Sequence, residues 1–512
     1  MFNRPIAWLA GTVLAGAMVA NPATAQKSKD QLNISTIEFF SSLDYYHDPN
    51  SESLQFVRNM YGHLIAMDEH TGKFIPELAK SWKRIDEKTI EFELRDDIKF
   101  HTGNKFTAAD VKHTMEYLAG PKLKIRFKGR YNWVKKVEVL SDYKLRVISK
   151  RPFSTDLHTI AYRFYIYDSK VHKSLKNPKT YGRVSASATG VYRALSIDKN
   201  SGFLVERWDP AVGKWPHRKA TIKRIQSTPI PDRQTQIAAL LTGKVDAIRN
   251  VTADMAAQLK SDPRFKTTAI PSKQLIYITL DAAGRSKNKA FKDKRVRQAF
   301  FKAIPRKLIQ KNFVSGAETA ELPDAVCFSA NVACTPSTSV IAYDPAGAKK
   351  LLAEAGYSGG LKFTMTTSAS YRDIAEAVGG ELRKVGFEAS IEAQPRGTAV
   401  KRRAKGELTT YFSAYPTFTH PTTTNIFNFF FSGTRDYNRD PVIQAARKKG
   451  NLEFDLGKRS KIYQGILDQV NKEAYVYPFS EIPIVWAYNK NVAPQRNPAT
   501  LALILVGDWK WQ

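Results

Sequence analysis

DPAGAKKLLAEAGYSGGLKFTMTTSASYRDIAEAVGGELRKVGFEASIEA, residues Asp344 to Ala393, alternates helix and strand signals in a way that decides the fold class. Asp344-Pro345 opens a helix, because aspartate caps the free N–H groups and proline has no N–H to waste in the first turn. Ala348, Leu351, Leu352 and Ala355 then follow helical spacing, and Gly356 ends the segment. Leu361 to Thr367 alternates with a period of two and predicts a strand. A second helix is expected from about Asp373 to Val385, and a second strand near Glu388 to Ala393. Two strands joined by a helix lie parallel in one sheet through a right-handed crossover.

The same alternation extends outward. Ile90, Phe92 and Leu94 share one face of a period-two run that ends in the turn material Asp96-Asp97. Thr107-Ala-Ala-Asp110 resembles a capping box ahead of a helix from Val111 to Leu118, and Lys144 to Ile148 alternates again. The chain has 512 residues, more than the roughly 250–300 that one core serves, so two lobes are expected. No Gly/Ser linker separates them. Short strand-like crossings at Lys273 to Asp281 and Ile482 to Asn489 are therefore the candidate hinges.

Arg4, the uncharged run Ile6 to Ala20, the break at Asn21-Pro22 and the Ala23-Thr24-Ala25 pattern read as a cleavable signal peptide. About fifteen apolar residues fall short of the roughly twenty that span a bilayer. No cysteine follows the expected cleavage site, so a lipid anchor is not expected, and the periplasm is the expected compartment. The expected division is 1–25 signal peptide, 26–272 first lobe with an inserted subdomain at about 50–180, 273–487 second lobe, and 488–512 returning to the first.

Lys and Arg number 79 against 48 Asp and Glu, a formal net charge of +31. Such a field attracts anionic ligands or an acidic surface, but a solvated face in a lineage with basic periplasmic proteins is the favoured reading. No nucleic-acid-binding module accompanies the charge, so no nucleic-acid partner is expected. Lys122, Lys124, Arg126, Lys128 and Arg130 alternate with Leu123, Ile125 and Phe127, which predicts five cations on one strand face. Lys401, Arg402, Arg403 and Lys405 form a second cluster. Cys327 and Cys334 share a loop, and an oxidising compartment favours their pairing over two free thiols.

Catalytic patterns are missing. Gly356-Tyr357-Ser358-Gly359-Gly360 matches the nucleophile elbow in letters, but that elbow needs a strand before the serine and a helix after it, the reverse of the order here. No zinc-protease, P-loop or dinucleotide motif occurs, and the nine histidines lack metal-ligand spacing. No catalytic residue, metal or cofactor is expected.

Several segments together carry a resemblance. Gly72 to Tyr117, GKFIPELAKSWKRIDEKTIEFELRDDIKFHTGNKFTAADVKHTMEY, is the densest. SATGVY at Ser187 to Tyr192, LLTGKVDAI at Leu240 to Ile248, FKDKRVRQAF at Phe291 to Phe300 and YDPAGAKKLLAEAGY at Tyr343 to Tyr357 follow in order. This resembles the family 5 extracellular solute-binding proteins, the dipeptide, oligopeptide and nickel type of ABC importers. Val191 replaces the proline of that family's glycine-rich turn. The resemblance implies a two-lobe α/β periplasmic binding protein fold, with an extra subdomain in the first lobe and a hinge between the lobes. It also implies a receptor, here expected to be a monomer, that delivers a short peptide or peptide-like solute to a permease powered by ATPase subunits.

Peptide-binding members pair the peptide amine with an aspartate in a segment that resembles Tyr411 to Pro421 here. Thr417 and His420 stand where acidic residues are expected, and no carboxylate lies between Tyr411 and Phe431. An uncharged anchor repays the desolvation of an ammonium poorly. Arg396, Arg402 and Arg403 just upstream suit carboxylate or phosphate instead, through bidentate hydrogen bonds. Tyr45, Tyr371, Tyr415 and Trp486 are candidate aromatic walls. The alternatives are an anionic compound such as an opine or a phosphorylated sugar, a nickel chelate near His420, and, in a different class, an exported hydrolase.

Overall fold

The computed structural model describes residues 27, 29–37, 42–49, 52–184, 186–198, 202–215, 217–335, 341–417, 421–495, 497, 500 and 503–512. The signal peptide expected at 1–25 lies outside them.

Two sheets organise the molecule. The first has seven strands in the order Phe265–Ile270, Ile484–Asn489, Ala247–Arg249, Gln31–Thr36, Arg224–Pro229, Gly202–Arg207, Tyr192–Asp198. Gln31–Thr36 runs parallel to both its neighbours. The second has five strands in the order Phe387–Gln394, Leu361–Ser368, Thr410–Pro416, Gln274–Leu280, Val476–Glu481. Within it, Leu361–Ser368 and Phe387–Gln394 pair in parallel, and the helix Arg372–Arg383 between them buries Ile374, Ala375, Val378 and Leu382. That is the crossover unit read from the opening stretch. Ahead of it the Asp344 side chain caps the helix Pro345–Glu354 by accepting from the Gly347 N–H at 2.8 Å. Gly356–Gly360 therefore stands after a helix and before a strand, the wrong way round for a nucleophile elbow.

A four-stranded antiparallel sheet, Ala79–Asp86, Thr89–Leu94, Lys144–Ser149, Val134–Ser141, forms the subdomain of the first lobe. The helix Ala108–Ala119 packs on it, and at its start the Thr107 N–H donates to Asp110 Oδ2 at 2.9 Å. The basic run Lys122 to Arg130 departs from expectation: it is a turn closed by the short 3-10 helix Lys128–Arg130 and presents no strand face. Lys128 Nζ donates to the carbonyl of Leu118 at 2.6 Å and to that of Gly120, capping the helix C-terminus, where carbonyls lack partners. That cap folds the run back on itself and overrides its alternation.

The hinge segments also differ from the reading. Gln274–Leu280 is an interior strand of the five-stranded sheet, and Ile484–Asn489 an interior strand of the seven-stranded one. Residues 484–487, expected in the second lobe, thus belong to the first lobe's sheet. Among the described residues the chain crosses between these two large sheets at 271–273 and 482–483. Lys273 adopts the left-handed conformation, φ 51°, and its N–H donates to Glu481 Oε1 at 2.6 Å. Away from the hinge the lobes touch at their rims. Ser154 Oγ donates to the Asn451 carbonyl at 2.8 Å, Arg459 Nη1 donates to the Ser154 carbonyl at 3.0 Å, and the Arg84 guanidinium lies 4.7 Å from the centre of the Phe454 ring. This is a closed arrangement.

Candidate functional site

Between hinge and rim, each lobe presents an aromatic wall. In the first lobe the Tyr45 ring meets Tyr165 edge-on at 5.7 Å, and Tyr46 meets Tyr131 at 5.3 Å. Tyr165 follows the helix Asp156–Arg163, and Tyr131 follows the short helix Lys128–Arg130. In the second lobe Tyr411, Ser413 and Tyr415 alternate along one face of Thr410–Pro416. Tyr277 sits directly opposite Ser413 in the register and so shares that face. Phe429, from the helix Thr423–Phe430, lies against Tyr415 at 4.3 Å.

Arginines stand in these walls without acidic partners among the described residues. Arg403, on the helix Arg396–Lys405, is 2% exposed, and its guanidinium lies 5.3 Å from the ring centre of Tyr411, 5.4 Å from Phe429 and 5.9 Å from Tyr277. Its Nη1 donates to the Tyr277 hydroxyl at 3.2 Å and its Nη2 to the Arg435 carbonyl at 3.2 Å, while buried Nε has no acceptor among the described residues. Ring faces compensate a buried guanidinium in part, but a carboxylate or phosphate does so far better. Across the cleft Arg163 ends its helix 1% exposed, with Nε and Nη1 both lacking an acceptor among the described residues. Arg130 lies 3.8 Å from the Phe127 ring centre; burial, then the charge of Arg163, pushes its guanidinium down to about 10. Arg435, on the exposed turn Gly433–Arg435, is lowered by desolvation and then by Arg403.

Tyr415 connects the two groups. Burial raises its hydroxyl pKa, and Arg130 and Arg163 from one lobe and Arg435 from the other pull it back down. Both first-lobe arginines and one of the second lobe thus act on this tyrosine. None of the four arginines makes an ion pair with a described residue. Such a site suits an anion with apolar or aromatic surface.

Some expected residues lie elsewhere. Tyr45, Tyr415 and Arg403 belong to the cluster. Arg396 is exposed at the helix start; burial raises the Tyr277 hydroxyl to about 12, and Arg403 and, more weakly, Arg396 pull against that rise. Arg402 points off the other side of the helix, where Glu392 holds it at 2.8 Å and Glu407 at 3.3 Å. It lines an open groove of about 810 Å³ with Arg285, Lys287, Lys362 and Lys405, which shares no lining residue with the cluster. Thr417 is buried at the hinge, its N–H donating to the Lys273 carbonyl at 3.1 Å. Tyr371 meets Gln274 Nε2 through its hydroxyl at 3.2 Å, beside the strand rather than in the cluster. Trp486 is 1% exposed in the seven-stranded sheet, edge-on to Trp509 at 5.1 Å, and lies apart from the cluster. His420 lies outside the described residues. Cys327 and Cys334 are joined, with Cα atoms 6.1 Å apart. Arg163 and Arg435 were not foreseen. The signal for Arg163 was present: one arginine inside the apolar and aromatic run Ile160 to Tyr167.

Residues 73–438 match the model of the bacterial extracellular solute-binding proteins, family 5, middle part. The chain belongs to this family. Among its relatives is the glutathione-binding protein GsiB of Pectobacterium atrosepticum, 27% identical over 400 residues that cover 76% of this chain and 74% of that protein. GsiB of Salmonella typhi is 25% identical over 507 residues, 95% of each chain. Among solved structures, a dipeptide binding protein from Pseudoalteromonas sp. SM9913 in complex with Met-Leu has a TM-score of 0.77 at 21% identity, covering 94% of this chain and 100% of that one. NikA from Brucella suis in complex with Fe(III)-EDTA has a TM-score of 0.81 at 21% identity, with the same coverage. The fold is the two-lobe binding-protein fold. This solute-binding protein is a receptor of an ABC importer, not an enzyme, and works with permease and ATPase subunits. Among the described residues no helix is long and apolar enough to cross a membrane.

Proposed function

We propose that this solute-binding protein captures a peptide-derived solute carrying negative charge between its aromatic walls, with Arg130, Arg163, Arg403 and Arg435 as the charged contacts and Tyr45 and Tyr415 as aromatic ones. The observation that carries the reading is Arg163, buried with two N–H groups unanswered among the described residues and near enough to Tyr415 to act on its hydroxyl. A buried cation of this kind is costly unless something supplies the counter-charge. The relatives named for glutathione fit the same chemistry, since glutathione is a tripeptide with a free carboxylate at each end.

The protein works in the periplasm as a monomer, after removal of residues 1–25. Its first lobe comprises 26–272 with the C-terminal return, its second begins at 273, and the two close about the crossings at 271–273 and 482–483. No nucleic acid takes part. Isothermal titration of the mature protein with glutathione and with neutral and anionic tripeptides tests the reading. Anionic peptides are expected to bind and Arg163→Gln to weaken them at least tenfold. Preference for cationic or neutral peptides, unchanged in Arg163→Gln, contradicts it.

A further inference from the structure

Phe429 stands where the second lobe's arginines meet. The helix Thr423–Phe430 buries Ile426, Phe427 and Phe430 in the lobe and leaves Phe429 half-buried against Tyr415. Two guanidinium groups lie over its ring, Arg403 at 5.4 Å and Arg435 at 4.9 Å from the centre. Arg403 also ties Arg435 by its backbone, since Arg403 Nη2 donates to the Arg435 carbonyl. Arg285 Nη1 holds the same turn through the Thr434 carbonyl at 2.6 Å. The Arg435 side chain makes no hydrogen bond or ion pair with a described residue, so its placement rests on the ring. Other rings carry two arginines for different reasons. Trp215 lies under Arg95 and Arg218, each of which has a carboxylate, Asp97 and Glu77. Phe127 lies under Arg126 and Arg130, its neighbours within one turn. At Phe429 the fold brings the two charges together from a helix and a separate turn, and no described carboxylate answers either.

We infer that Phe429 is a positioning residue for anion selectivity: its ring keeps Arg435 beside Arg403, so that the second lobe by itself offers two guanidinium groups to one carboxylate of the solute. The inference rests on the reading of this cleft as the solute site and deepens it by naming what sets the preference for charge. A ring face attracts a cation without neutralising it, so both arginines keep their charge for a ligand. A guanidinium grips a carboxylate through a planar fork, and a fork already held in place loses less freedom on binding. Without the ring the Arg435 side chain is free to spread into solvent, whereas Arg403 stays, because its Nη1 also donates to the Tyr277 hydroxyl. Every group of this receptor comes from the second lobe, so it is assembled before the lobes close. Charge is thus selected at capture, and closure follows.

The test separates charge selectivity from folding. Glutathione and its diamide, with both carboxylates converted to carboxamides, are titrated by calorimetry into the mature protein and its Phe429→Leu, Phe429→Tyr and Arg435→Gln variants. Circular dichroism and thermal melting check that each variant is folded. Phe429→Leu is expected to bind glutathione at least fivefold more weakly, with its affinity for the diamide unchanged. Phe429→Tyr, which keeps a ring, is expected to retain the wild-type preference. Adding Phe429→Leu to Arg435→Gln is expected to weaken glutathione binding less than twofold further, because the two changes remove one arrangement. Wild-type glutathione affinity in Phe429→Leu, equal weakening of both ligands, or losses that multiply in the double variant overturns the positioning inference and leaves the cleft as the solute site. Glutathione binding that neither Arg163→Gln nor Arg403→Gln alters, or no binding of glutathione, overturns the cleft reading and the inference with it.

Discussion

A guanidinium held in an aromatic box serves binding at the expense of stability. Arg403 touches Tyr277, Tyr411 and Phe429 and has no carboxylate among the described residues. Replacing it with methionine keeps much of the volume and removes an uncompensated charge, so the unliganded protein is expected to melt no lower than wild type. Affinity for an anionic solute should fall by about 2 kcal/mol or more, on the order of thirtyfold, because a desolvated charge pair is lost. Calorimetric melting and titration of Arg403→Met check both signs; a large loss of melting temperature with unchanged affinity would show a structural arginine. The histidines give a second prediction. Burial pushes His101 and His172 down to about 4 and His158 to about 3, and His113, 2.9 Å from His172, also to about 4. Between those values and the ordinary 6.5 the unfolded chain takes up protons that the folded chain refuses, so stability rises with pH across that window. Asp246 and Asp508, raised to about 7 by burial, and Asp110 and Asp156, also raised by burial, act in the opposite sense, but the four of them stand against five histidines once His63, lowered by burial, is added. The melting temperature should be lower at pH 4.5 than at pH 6.5, and a flat profile would contradict this balance.

Elements were legible where one local rule governed them. The helix Pro345–Glu354 could be read from its Asp-Pro start and Gly356 stop, and the parallel strands on either side of Arg372–Arg383 from their periods. The run Lys122 to Arg130 misled because alternation is a statement about two faces, and here a lysine 8 residues from Gly120 and 10 from Leu118 reaches back to their carbonyls. Such a cap depends on how the chain turns, which the period does not encode. Lys128→Ala should loosen the end of Ala108–Ala119 and cost about 0.3–1 kcal/mol, visible in faster amide exchange at residues 116–120. The site was half legible for a similar reason. Arg403, Tyr415 and Tyr45 were found by residue type near a resembling segment, but Arg402 beside Arg403 is indistinguishable in sequence and points to Glu392 instead. Trp486 lies apart from the cluster because Ile484–Asn489, with all six residues buried, is an interior strand of the first sheet rather than a surface crossing. At the true crossing Glu481 is fully buried and accepts from the N–H groups of Lys273 at 2.6 Å and Glu321 at 2.9 Å. Glu481→Leu leaves both donors unanswered, and urea unfolding should report a loss of about 2–4 kcal/mol. A loss under 1 kcal/mol would mean that the crossing is not held there.

At the scale of the whole molecule, two lobes meet through a narrow hinge, a rim of direct contacts and an arginine-rich gap between them. Hinge and rim set how easily the lobes close, and the gap sets what they close on. Ser154→Ala removes one rim hydrogen bond and should weaken solute binding about fivefold by disfavouring the closed form, without changing which solutes bind. Equal weakening of every ligand in the series is the expected pattern; an altered preference would place Ser154 in the site itself. The central claim is that the cleft of this solute-binding protein takes an anionic, peptide-derived solute. It is tested most directly by purifying the mature protein from the periplasm and identifying what it carries, by native mass spectrometry followed by extraction from the unfolded chain. The account predicts a discrete bound species, released on unfolding, with net negative charge and a peptide bond. A bound cation, or a neutral solute held equally well when Arg163 and Arg403 are replaced by glutamine, would contradict it.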